Sequence, residues 1–396
     1  MRIAFLTPGF VTEEKISGGL VNHLHQTCLS LIKLGHQPVI ISPSKKNGVI
    51  FHNGIEVHRV KVKNYLLSFL DIVTLHQFNR SLTYLYQSRK LNREAMKAHR
   101  KIPFTVIQCA SSLAVGLFRL KKVPTVVRMS SHPGLWRKAR GKSYLHLDQR
   151  IAYGLEMKAA ARADGIFAPS RIIAEVIQKE TGKPVAVIET PVSADVPQTD
   201  DRLYQNLLAG RDYLLFFGSI DRRKGVDVIA EILFKLLEKY PQLLFVFIGG
   251  DSRYQWGTMM SSYLYQKAKH HRERVIYPGR VPREKLYPVL DNALAVILPS
   301  RMDNLPNACL EAMARRKVVV GTRGASFEQL IEDGVSGFLC EPGNPTDLLK
   351  SIEQSLSLTP EQKKAIGEKA FQRVNANNPE KVTAQLVDFY QKFIDK

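Results

Sequence analysis

Cysteine is scarce in this chain of 396 residues, which contains four of them. They lie far apart, and no two have the close spacing of a metal-binding pair; they are Cys28, Cys109, Cys309 and Cys340. We therefore expect reduced, mostly buried thiols in a cytoplasmic protein.

Long apolar runs are also missing. No stretch reaches the roughly 18 apolar residues that a membrane-spanning helix needs. The apolar segment near the start, IAFLTPGF, is short and is followed by Glu13 and Glu14, which does not fit a secretory signal. These absences predict a cytoplasmic protein without a spanning helix.

Acidic residues are few relative to basic ones, with 36 Asp and Glu against 57 Lys and Arg and a net charge of +21. Residues 1–198 hold 29 basic and 12 acidic residues, a net charge of +17, whereas residues 199–396 hold 28 and 24. This asymmetry favours an anionic partner for the first half, such as an acidic glycan, a lipid phosphate or the inner face of a membrane. A solvated basic surface is the alternative. Nucleic acid is not expected, because no nucleic-acid-binding motif accompanies the charge.

Short apolar runs alternate with helical patterns along both halves, which predicts mostly parallel sheets covered by helices on both faces. In the first half a strand at RIAFLTP precedes apolar residues at helical spacing, and later strands are expected at QPVIIS, FTVIQCAS, PTVVRMS and ADGIFAPS. The second half contains six continuous apolar runs, typical of strands buried on both faces: YLLFFGS, LLFVFIGG, RVIYPG, LAVILPS, KVVVGT and GFLCEP.

A polar, Pro-containing segment at residues 191–201 predicts a linker between two domains. We assign residues 1–195 to the first domain and 196–378 to the second, with an amphipathic helix at 379–396 packing back on the first. Two such doubly wound α/β domains are expected to face each other, with ligands in the cleft at the carboxyl ends of their strands.

The segment PSRMDNLPNACLEAMARRKVVV, residues 299–320, carries the strongest functional signal. A strand leads into a polar loop with Asp303, and a helix with Glu311 follows. Backbone N–H groups at a helix start favour an anion. The two carboxylates are negative, so they cannot balance the charge of a phosphate and are better suited to accept hydrogen bonds from hydroxyl groups. A phosphate site beside acceptors for hydroxyl groups suits a nucleotide sugar. Glu311 could alternatively be an ordinary polar residue of the helix.

Three glycine-containing loops are expected at the same ends of the strands: one with Gly18 and Gly19, one from Gly218 to Gly225, and one with Gly249 and Gly250. Gly18 and Gly19 precede the first helix and can offer N–H groups to phosphate, although turn formation alone explains such pairs. Lys224 lies in a loop between Gly218 and Gly225, where it can neutralise a diphosphate, or it is simply exposed. No D-x-D pattern that would hold a divalent cation is present.

His132 follows the strand at PTVVR and precedes a proline turn, so it can face the cleft from the first domain. A structural role is the alternative for a lone histidine. Arg128 and Ser130 are competing candidates for the same catalytic role.

Together these segments resemble glycosyltransferase family 4, a group of retaining enzymes with the GT-B fold. The resemblance covers most of the chain and is strongest from about Tyr213 to Asp347. It is carried by motifs including SGGLVNHLHQTCLSLIKLGHQPVII, FGSIDRRKGVD, FVFIGGD, VIYPGRVPREKLYPVL, PSRMDNLPNACLEAM and GASFEQLIEDGVSGFLCEPGN.

The resemblance implies two Rossmann-like domains, the first for the acceptor and the second for the donor. It implies that Glu311 binds ribose, Asp303 the donor sugar and Lys224 the diphosphate. Further donor-binding positions are implied at the glycine loops, at the base and along the phosphates: Gly18, Gly19, Ser219, Arg223, Gly249, Arg280, Val281, Asn304, Leu305 and Pro306.

Two positions depart from the family pattern. Asp303 stands where the family's first glutamate is common, which matches a subset with DNLPN in that place. Ser219 stands where an arginine is frequent, so either Arg222 or Arg223 substitutes for it, or the leaving group is less stabilised.

We therefore expect a retaining, metal-independent glycosyltransferase without a cofactor. It would move a sugar from a UDP-sugar, or a GDP-sugar, to a hydroxyl of a glycan or lipid-linked acceptor in polysaccharide or glycoconjugate synthesis. The acceptor is expected to be anionic and the protein to be cytoplasmic and peripheral to the membrane. The alternative is a catalytically silent carbohydrate- or membrane-binding protein on the same fold.

Overall fold

The computed structural model describes residues 1–12, 19–62, 78–139, 141, 146–192, 198–254 and 257–394. The chain divides into two compact α/β units. Unit 1 comprises Met1–Pro133, Ser143–Pro191 and Pro379–Lys396, and unit 2 comprises Gly134–Lys142 and Val192–Asn378.

Unit 1 is built on one sheet with the strand order β3-β4-β2-β1-β5-β6-β7-β8. Its strands are β1 (Arg2–Leu6), β2 (Gln37–Ser44), β3 (Gly48–His52), β4 (Ile55–Lys61), β5 (Val106–Ala110), β6 (Thr125–Arg128), β7 (Gly165–Ala168) and β8 (Val185–Val187). Neighbouring strands are parallel, except that β3 pairs antiparallel with β4.

Helices cover the sheet of unit 1, and their apolar residues pack against those of the strands. They are α1 (Gly19–Lys33), α2 (Asn79–Lys101), α3 (Pro133–Ala139), which runs into unit 2, α4 (Leu147–Arg162) and α5 (Arg171–Thr181). The last helix of the chain (Pro379–Ile394), numbered α13 below, also packs in the core of unit 1. There the Phe389 ring meets Phe167 edge-on at 5.4 Å, and the Tyr390 hydroxyl donates a hydrogen bond to Gln108.

Unit 2 is built on a parallel sheet with the order β11-β10-β9-β12-β13-β14. Its strands are β9 (Tyr213–Phe217), β10 (Leu244–Ile248), β11 (Val275–Gly279), β12 (Ala295–Ile297), β13 (Val319–Thr322) and β14 (Phe338–Cys340). Its helices are α6 (Arg202–Leu207), α7 (Val226–Lys239), α8 (Met260–Ala268), α9 (Arg283–Asn292), α10 (Asn307–Ala314), α11 (Pro345–Leu356) and α12 (Pro360–Asn375), followed by α13 in unit 1. The predicted two-domain α/β class with parallel sheets is confirmed.

Each sheet has one position at which the strand order reverses. In unit 2 the order runs from β9 outward to β11 and from β12 outward to β14, so the reversal lies between the paired strands β9 and β12. In unit 1 it lies between β1 and β5. Loops that leave the carboxyl ends of these strands diverge to opposite faces, and the crevice between them is where open α/β sheets bind ligands.

The six apolar runs of the second half all form strands, as predicted. The first half contains three strands, β3, β4 and β8, that were not predicted. All four cysteines are free and buried, as expected. Among the described residues, no helix combines the length and apolarity that a membrane span requires.

Candidate active site

Asp303 lies in the loop that connects β12 to α10 and is buried, with 8% of its surface exposed. Its Oδ2 accepts a hydrogen bond from the Lys224 ammonium group. Its Oδ1 accepts one from the backbone N–H of Asn304 at 3.1 Å, and Ser326 Oγ donates to its backbone carbonyl at 3.2 Å. The carboxylate is thus held in one orientation and carries a cation as its direct partner.

Lys224 ends a single 3₁₀ turn that follows β9. Asp221 begins this turn, and its Oδ1 accepts from the Lys224 backbone N–H at 2.9 Å. The next residue, Gly225, has φ +72°, and a Cβ there would lie 1.8 Å from the Pro299 carbonyl oxygen. Only glycine fits at this position. The close contact between Gly225 and Pro299 holds the Lys224 turn against the end of β12, which lies on the other side of the strand-order reversal.

Arg223 is buried beside the same carboxylate. Its Nη1 lies 3.9 Å from Asp303 Oδ1 and donates to the Met302 carbonyl oxygen at 3.4 Å. Its Nη2 lies 3.9 Å from Asp221, and its guanidinium stacks over the Trp136 ring at 4.8 Å. Lys224 and Arg223 together surround Asp303 with two positive charges.

Arg222 and Ser219 lie apart from this arrangement. The Arg222 side chain is 42% exposed, and its Nε is 3.7 Å from Asp227. Ser219 is exposed on the same loop. Of the two arginines considered as substitutes at position 219, Arg223 is therefore the one that shares a carboxylate with Lys224.

Glu311 lies in α10 and forms an ion pair with Arg283, the first residue of α9. Arg283 Nη2 donates to Glu311 Oε1 at 2.8 Å, whereas Oε2 makes no hydrogen bond to any residue that the structure describes. Burial raises the pKa of Glu311, and Arg283 partly opposes that shift. One carboxylate oxygen is thus held by the protein and the other remains available.

The two other loops at this edge of the sheet lie against the first. Gly249, after β10, has φ +152°, and a Cβ there would lie 1.7 Å from the Gly218 carbonyl oxygen. The guanidinium of Arg280, after β11, lies so close to Gly250 that a Cβ on Gly250 would be 2.3 Å from it. Val281 packs partly buried on the core of unit 2. The loops after β9, β10 and β11 therefore form one continuous edge.

The expected site residues of unit 1 are described only in part. Gly18 lies outside the described residues, and Gly19 is the first residue of α1. His132 is buried, and its Nε2 lies 2.9 Å from Glu180 Oε1 and 2.6 Å from the Tyr153 hydroxyl. Burial and the Glu180 carboxylate raise the pKa of Tyr153, so its hydroxyl stays protonated.

In chemical terms, the edge of unit 2 combines two cations with oriented carboxylates. Lys224 and Arg223 can offset negative charge, and the Glu311 Oε2 can accept a hydrogen bond. The loop residues Asn304, Leu305 and Pro306 are buried and lead into α10, whose first N–H groups lack partners within the helix. This set suits a ligand that carries both phosphate and hydroxyl groups.

Several residues of the site were not foreseen from the sequence. Arg283 holds Glu311, and Trp136 stacks on Arg223. Arg301 donates to the Arg222 carbonyl oxygen at 2.8 Å and also pairs with Asp227, which joins the two loops. None of these residues stands near its partner in sequence, so no local motif indicates the pairing.

Both halves of the chain match families of known proteins. Residues 17–196 match the family described as Glycosyltransferase Family 4, and residues 199–373 match Glycosyl transferases group 1. Over 364 residues the chain is 22% identical to a phosphatidylinositol N-acetylglucosaminyltransferase subunit from Arabidopsis thaliana, covering 87% of this chain and 72% of that protein.

Solved structures share the fold over nearly the whole chain. Sucrose-phosphate synthase from Thermosynechococcus elongatus superposes with a TM-score of 0.77 at 17% identity, covering 99% of this chain and 98% of the other. Anabaena HepE, solved in complex with UDP and glucose, gives a TM-score of 0.70 at 16% identity, covering 99% and 100%.

The two Rossmann-like units and these matches define a glycosyltransferase of the GT-B type. More particularly, the match of its first half to Glycosyltransferase Family 4 and of its second half to Glycosyl transferases group 1 makes it a glycosyltransferase of the family 4 type.

Proposed function

We propose that this protein is a retaining glycosyltransferase that moves a sugar from a nucleotide-diphosphate sugar, with UDP as the favoured nucleotide, to a hydroxyl of a glycan or lipid-linked acceptor. The product would belong to a cell-surface polysaccharide or glycoconjugate. The relative from Arabidopsis thaliana, whose name denotes sugar transfer to a phosphatidylinositol, supports a lipid-linked acceptor. The UDP and glucose bound to Anabaena HepE support a UDP-sugar donor.

The observation that carries the proposal is the Lys224–Asp303 contact across the strand-order reversal of unit 2. Glycosyl transfer builds negative charge on the departing diphosphate. Lys224 and the buried Arg223 offset that charge in a site of low polarity, where electrostatic stabilisation is large. Asp303, oriented by these cations, accepts a hydrogen bond from a hydroxyl of the donor sugar.

Other residues bind the rest of the donor. Glu311 uses the oxygen that Arg283 leaves available to accept from the ribose hydroxyls. The backbone of Asn304, Leu305 and Pro306 approaches the phosphates, and Arg280 with Val281 borders the base. Ser219, Gly249 and the loop of Gly18 and Gly19 complete the donor-binding surface. His132 acts from unit 1 on the transferred sugar.

We propose that the reaction needs neither a metal ion nor a cofactor. Lys224 and Arg223 supply the charge that a divalent cation would otherwise bring to a diphosphate. Transfer at an undiminished rate in the presence of EDTA would support this proposal, and a strict requirement for Mg²⁺ or Mn²⁺ would refute it.

A basic groove in unit 1 supports an anionic partner. Its empty volume is about 940 Å³, including its open side, and its charged lining consists of Arg59, Lys61, Lys90, Arg93, Lys97 and Glu94. Glu94 already accepts a hydrogen bond from His58 at 3.0 Å. On the neighbouring edge strand β3, Val49 and Phe51 are 52% and 76% exposed. Cations beside exposed apolar side chains suit an anionic membrane surface that carries the acceptor.

The apolar stretch at residues 64–78, considered as a further membrane contact, lies almost entirely outside the described residues. The groove therefore provides the test of membrane binding. Vesicles with anionic lipid should retain the protein at low salt and release it at high salt. The double variant Lys90→Glu/Arg93→Glu should lose retention, whereas Lys363→Glu/Lys364→Glu on α12 should keep most of it. Equal retention of both variants would refute the role of the groove.

The reaction is tested with a panel of UDP- and GDP-sugars. Thermal unfolding identifies the donor, because a ligand at 100 times its Kd stabilises by about 2.7 kcal/mol. NMR of the product formed from that donor then reports the anomeric configuration. A stabilising donor whose sugar is transferred with retention supports the proposal. Absence of binding by every donor, or transfer with inversion, contradicts it.

A further inference from the structure

The ion pair between Arg283 and Glu311 is open to a ligand on one side. Arg283 is the first residue of α9 and Glu311 the fifth residue of α10. Arg283 Nη2 donates to Glu311 Oε1 at 2.8 Å. The Glu311 side chain is 13% exposed, whereas the Arg283 side chain is 45% exposed. The carboxylate is therefore largely covered, and the guanidinium beside it is accessible from solvent.

Arg315 joins the same two helices without using this pair. It directly follows the last residue of α10, and its guanidinium stacks over the Tyr287 ring of α9 at 4.8 Å. It also forms an ion pair with Asp291, near the end of α9. Because Arg315 already holds α10 against α9, the contact between Arg283 and Glu311 is not needed to keep the helices together.

The pair between Arg283 and Glu311 is incomplete as a hydrogen-bonded unit. Arginine and a carboxylate often form two parallel hydrogen bonds, but here there is one. Glu311 Oε2 and the other side-chain N–H groups of Arg283 make no hydrogen bond to any residue in the described part of the chain. An unused acceptor and unused donors therefore belong to one ion pair, side by side. A ligand that has a donor next to an acceptor would satisfy both.

A pair of neighbouring hydroxyl groups has this chemistry. A carboxylate only accepts hydrogen bonds and a guanidinium only donates them, whereas a hydroxyl does both. One hydroxyl can donate to Glu311 Oε2 while the next accepts from Arg283. A phosphate oxygen only accepts, so Glu311 would repel it. The amide edge of a nucleobase also has a donor beside acceptors, but removal of a ribose hydroxyl leaves that edge unchanged.

We infer that Arg283 and Glu311 together bind the two ribose hydroxyls of the donor nucleotide, Glu311 through Oε2 as acceptor and Arg283 as hydrogen-bond donor. Arg283 thus determines specificity for ribose over deoxyribose. This inference rests on the proposed function, which assigns the ribose to Glu311, and it adds a second side chain that contacts the sugar of the nucleotide.

The test is a calorimetric titration of UDP, 2'-deoxy-UDP and 3'-deoxy-UDP into the wild type. The guanosine set replaces these if the wild type binds GDP instead. Each analogue lacks one hydroxyl and leaves either Glu311 or Arg283 without its partner. Both analogues should therefore bind about tenfold more weakly than UDP, or weaker still, because each loses a hydrogen bond to a charged group.

The variant Arg283→Met separates contact with the ribose from support of Glu311. It should bind UDP about tenfold more weakly than the wild type does. The hydroxyl that accepted from Arg283 then has no partner, so the analogue without that hydroxyl should bind the variant as well as UDP does. The other analogue should stay weaker than UDP. A purely structural role of Arg283 would instead weaken all three nucleotides by the same factor.

The control is Arg316→Met, because Arg316 pairs with Glu368 at 2.8 Å in the same unit. It should keep the wild-type affinity for all three nucleotides. Equal binding of UDP and both analogues by the wild type would show the inference to be wrong, even if Arg283→Met fails to fold, whereas binding of the donor nucleotide would stand. An equal loss of all three nucleotides in Arg283→Met would also overturn it. If neither UDP nor GDP binds the wild type, the proposed function itself fails.

Discussion

The Lys224 ammonium group donates a hydrogen bond to Oδ2 of Asp303, 79 positions further along the chain. The two residues belong to loops that follow β9 and β12, the strands between which the order of the unit 2 sheet reverses. The Lys224 side chain is 17% exposed and the Asp303 side chain 11%, and the two neutralise each other at the predicted diphosphate position.

Replacing Lys224 with alanine should lower kcat for donor turnover by about 100-fold. Loss of one preorganised donor at a site of developing negative charge commonly has this effect. Asp303 would keep Arg223 as a more distant partner, so the free energy of unfolding should fall by only about 1–2 kcal/mol. Lys239→Ala is the matched control, because Lys239 pairs with Glu353 at 2.8 Å on the same unit. Turnover in Lys224→Ala equal to that of the control would exclude the leaving-group role.

Substitution of His132 tests whether unit 1 contributes a residue to catalysis. Its Nε2 lies within hydrogen-bonding distance of both Tyr153 and Glu180. If His132 contacts the transferred sugar, His132→Ala should reduce kcat by about 100-fold with little change in Tm. Tyr153→Phe removes one of the two neighbours of Nε2 and should reduce kcat less than tenfold. If His132→Ala lowers Tm and leaves kcat unchanged, the role of His132 is purely structural.

Gly225 should tolerate no side chain, because its φ is +72° and a Cβ would lie 1.8 Å from the Pro299 carbonyl oxygen. Gly225→Ala should cost more than about 3 kcal/mol of unfolding free energy, or shift the Lys224 turn and abolish donor binding. Gly210→Ala is the control, since Gly210 has φ +71° with no atom within 4 Å of the added Cβ. It should cost only about 1 kcal/mol, as measured by urea unfolding. Similar costs for both substitutions would show that the contact with Pro299 is unimportant.

Glu156 should make unit 1 less stable as the pH rises. Burial raises its pKa to about 7, although the Leu113 N–H donates to its Oε1 at 3.2 Å. Between the unfolded value of about 4.3 and 7, the folded state keeps a proton that the unfolded state has lost, so stability falls with rising pH across this window. The loss in unfolding free energy is on the order of 3–4 kcal/mol.

Urea unfolding of Glu156→Gln measures this effect. The variant keeps an oxygen acceptor for the Leu113 N–H and should be more stable than the wild type at pH 8 but not at pH 4. Glu175→Gln, on α5 of the same unit, should show the pH dependence of the wild type. A wild type and Glu156→Gln with parallel pH profiles would contradict the prediction.

Much of the fold follows from local patterns. The strands of unit 2 are buried on both faces, so each appears as a continuous apolar run. The hairpin of β3 and β4 was missed because β3 is a short edge strand and β4 mixes apolar with polar and charged residues. Asn53 and Gly54, with φ of 50° and 78°, form its turn. An Asn-Gly pair between alternating residues is a recognisable hairpin signal, so this element could have been found.

The pairings within the site could not be predicted in the same way. The loop of Asp303 and the turn of Lys224 each stand out as motifs, and parallel strands bring them to one edge. Arg283 and Trp136 carry no such signal. Their contacts with Glu311 and Arg223 depend on where α9 begins and where α3 lies in the folded chain.

The most direct test of the account is a calorimetric titration of UDP into the wild type, Glu311→Gln and Glu353→Gln. Glu311 is proposed to bind ribose through its Oε2. Glu353, on α11, is the control, because it forms a surface ion pair with Lys239. We predict saturable UDP binding by the wild type, at least tenfold weaker binding by Glu311→Gln, and unchanged binding by Glu353→Gln. Failure of the wild type to bind either UDP or GDP, or equal affinity in Glu311→Gln, would contradict the proposed donor site.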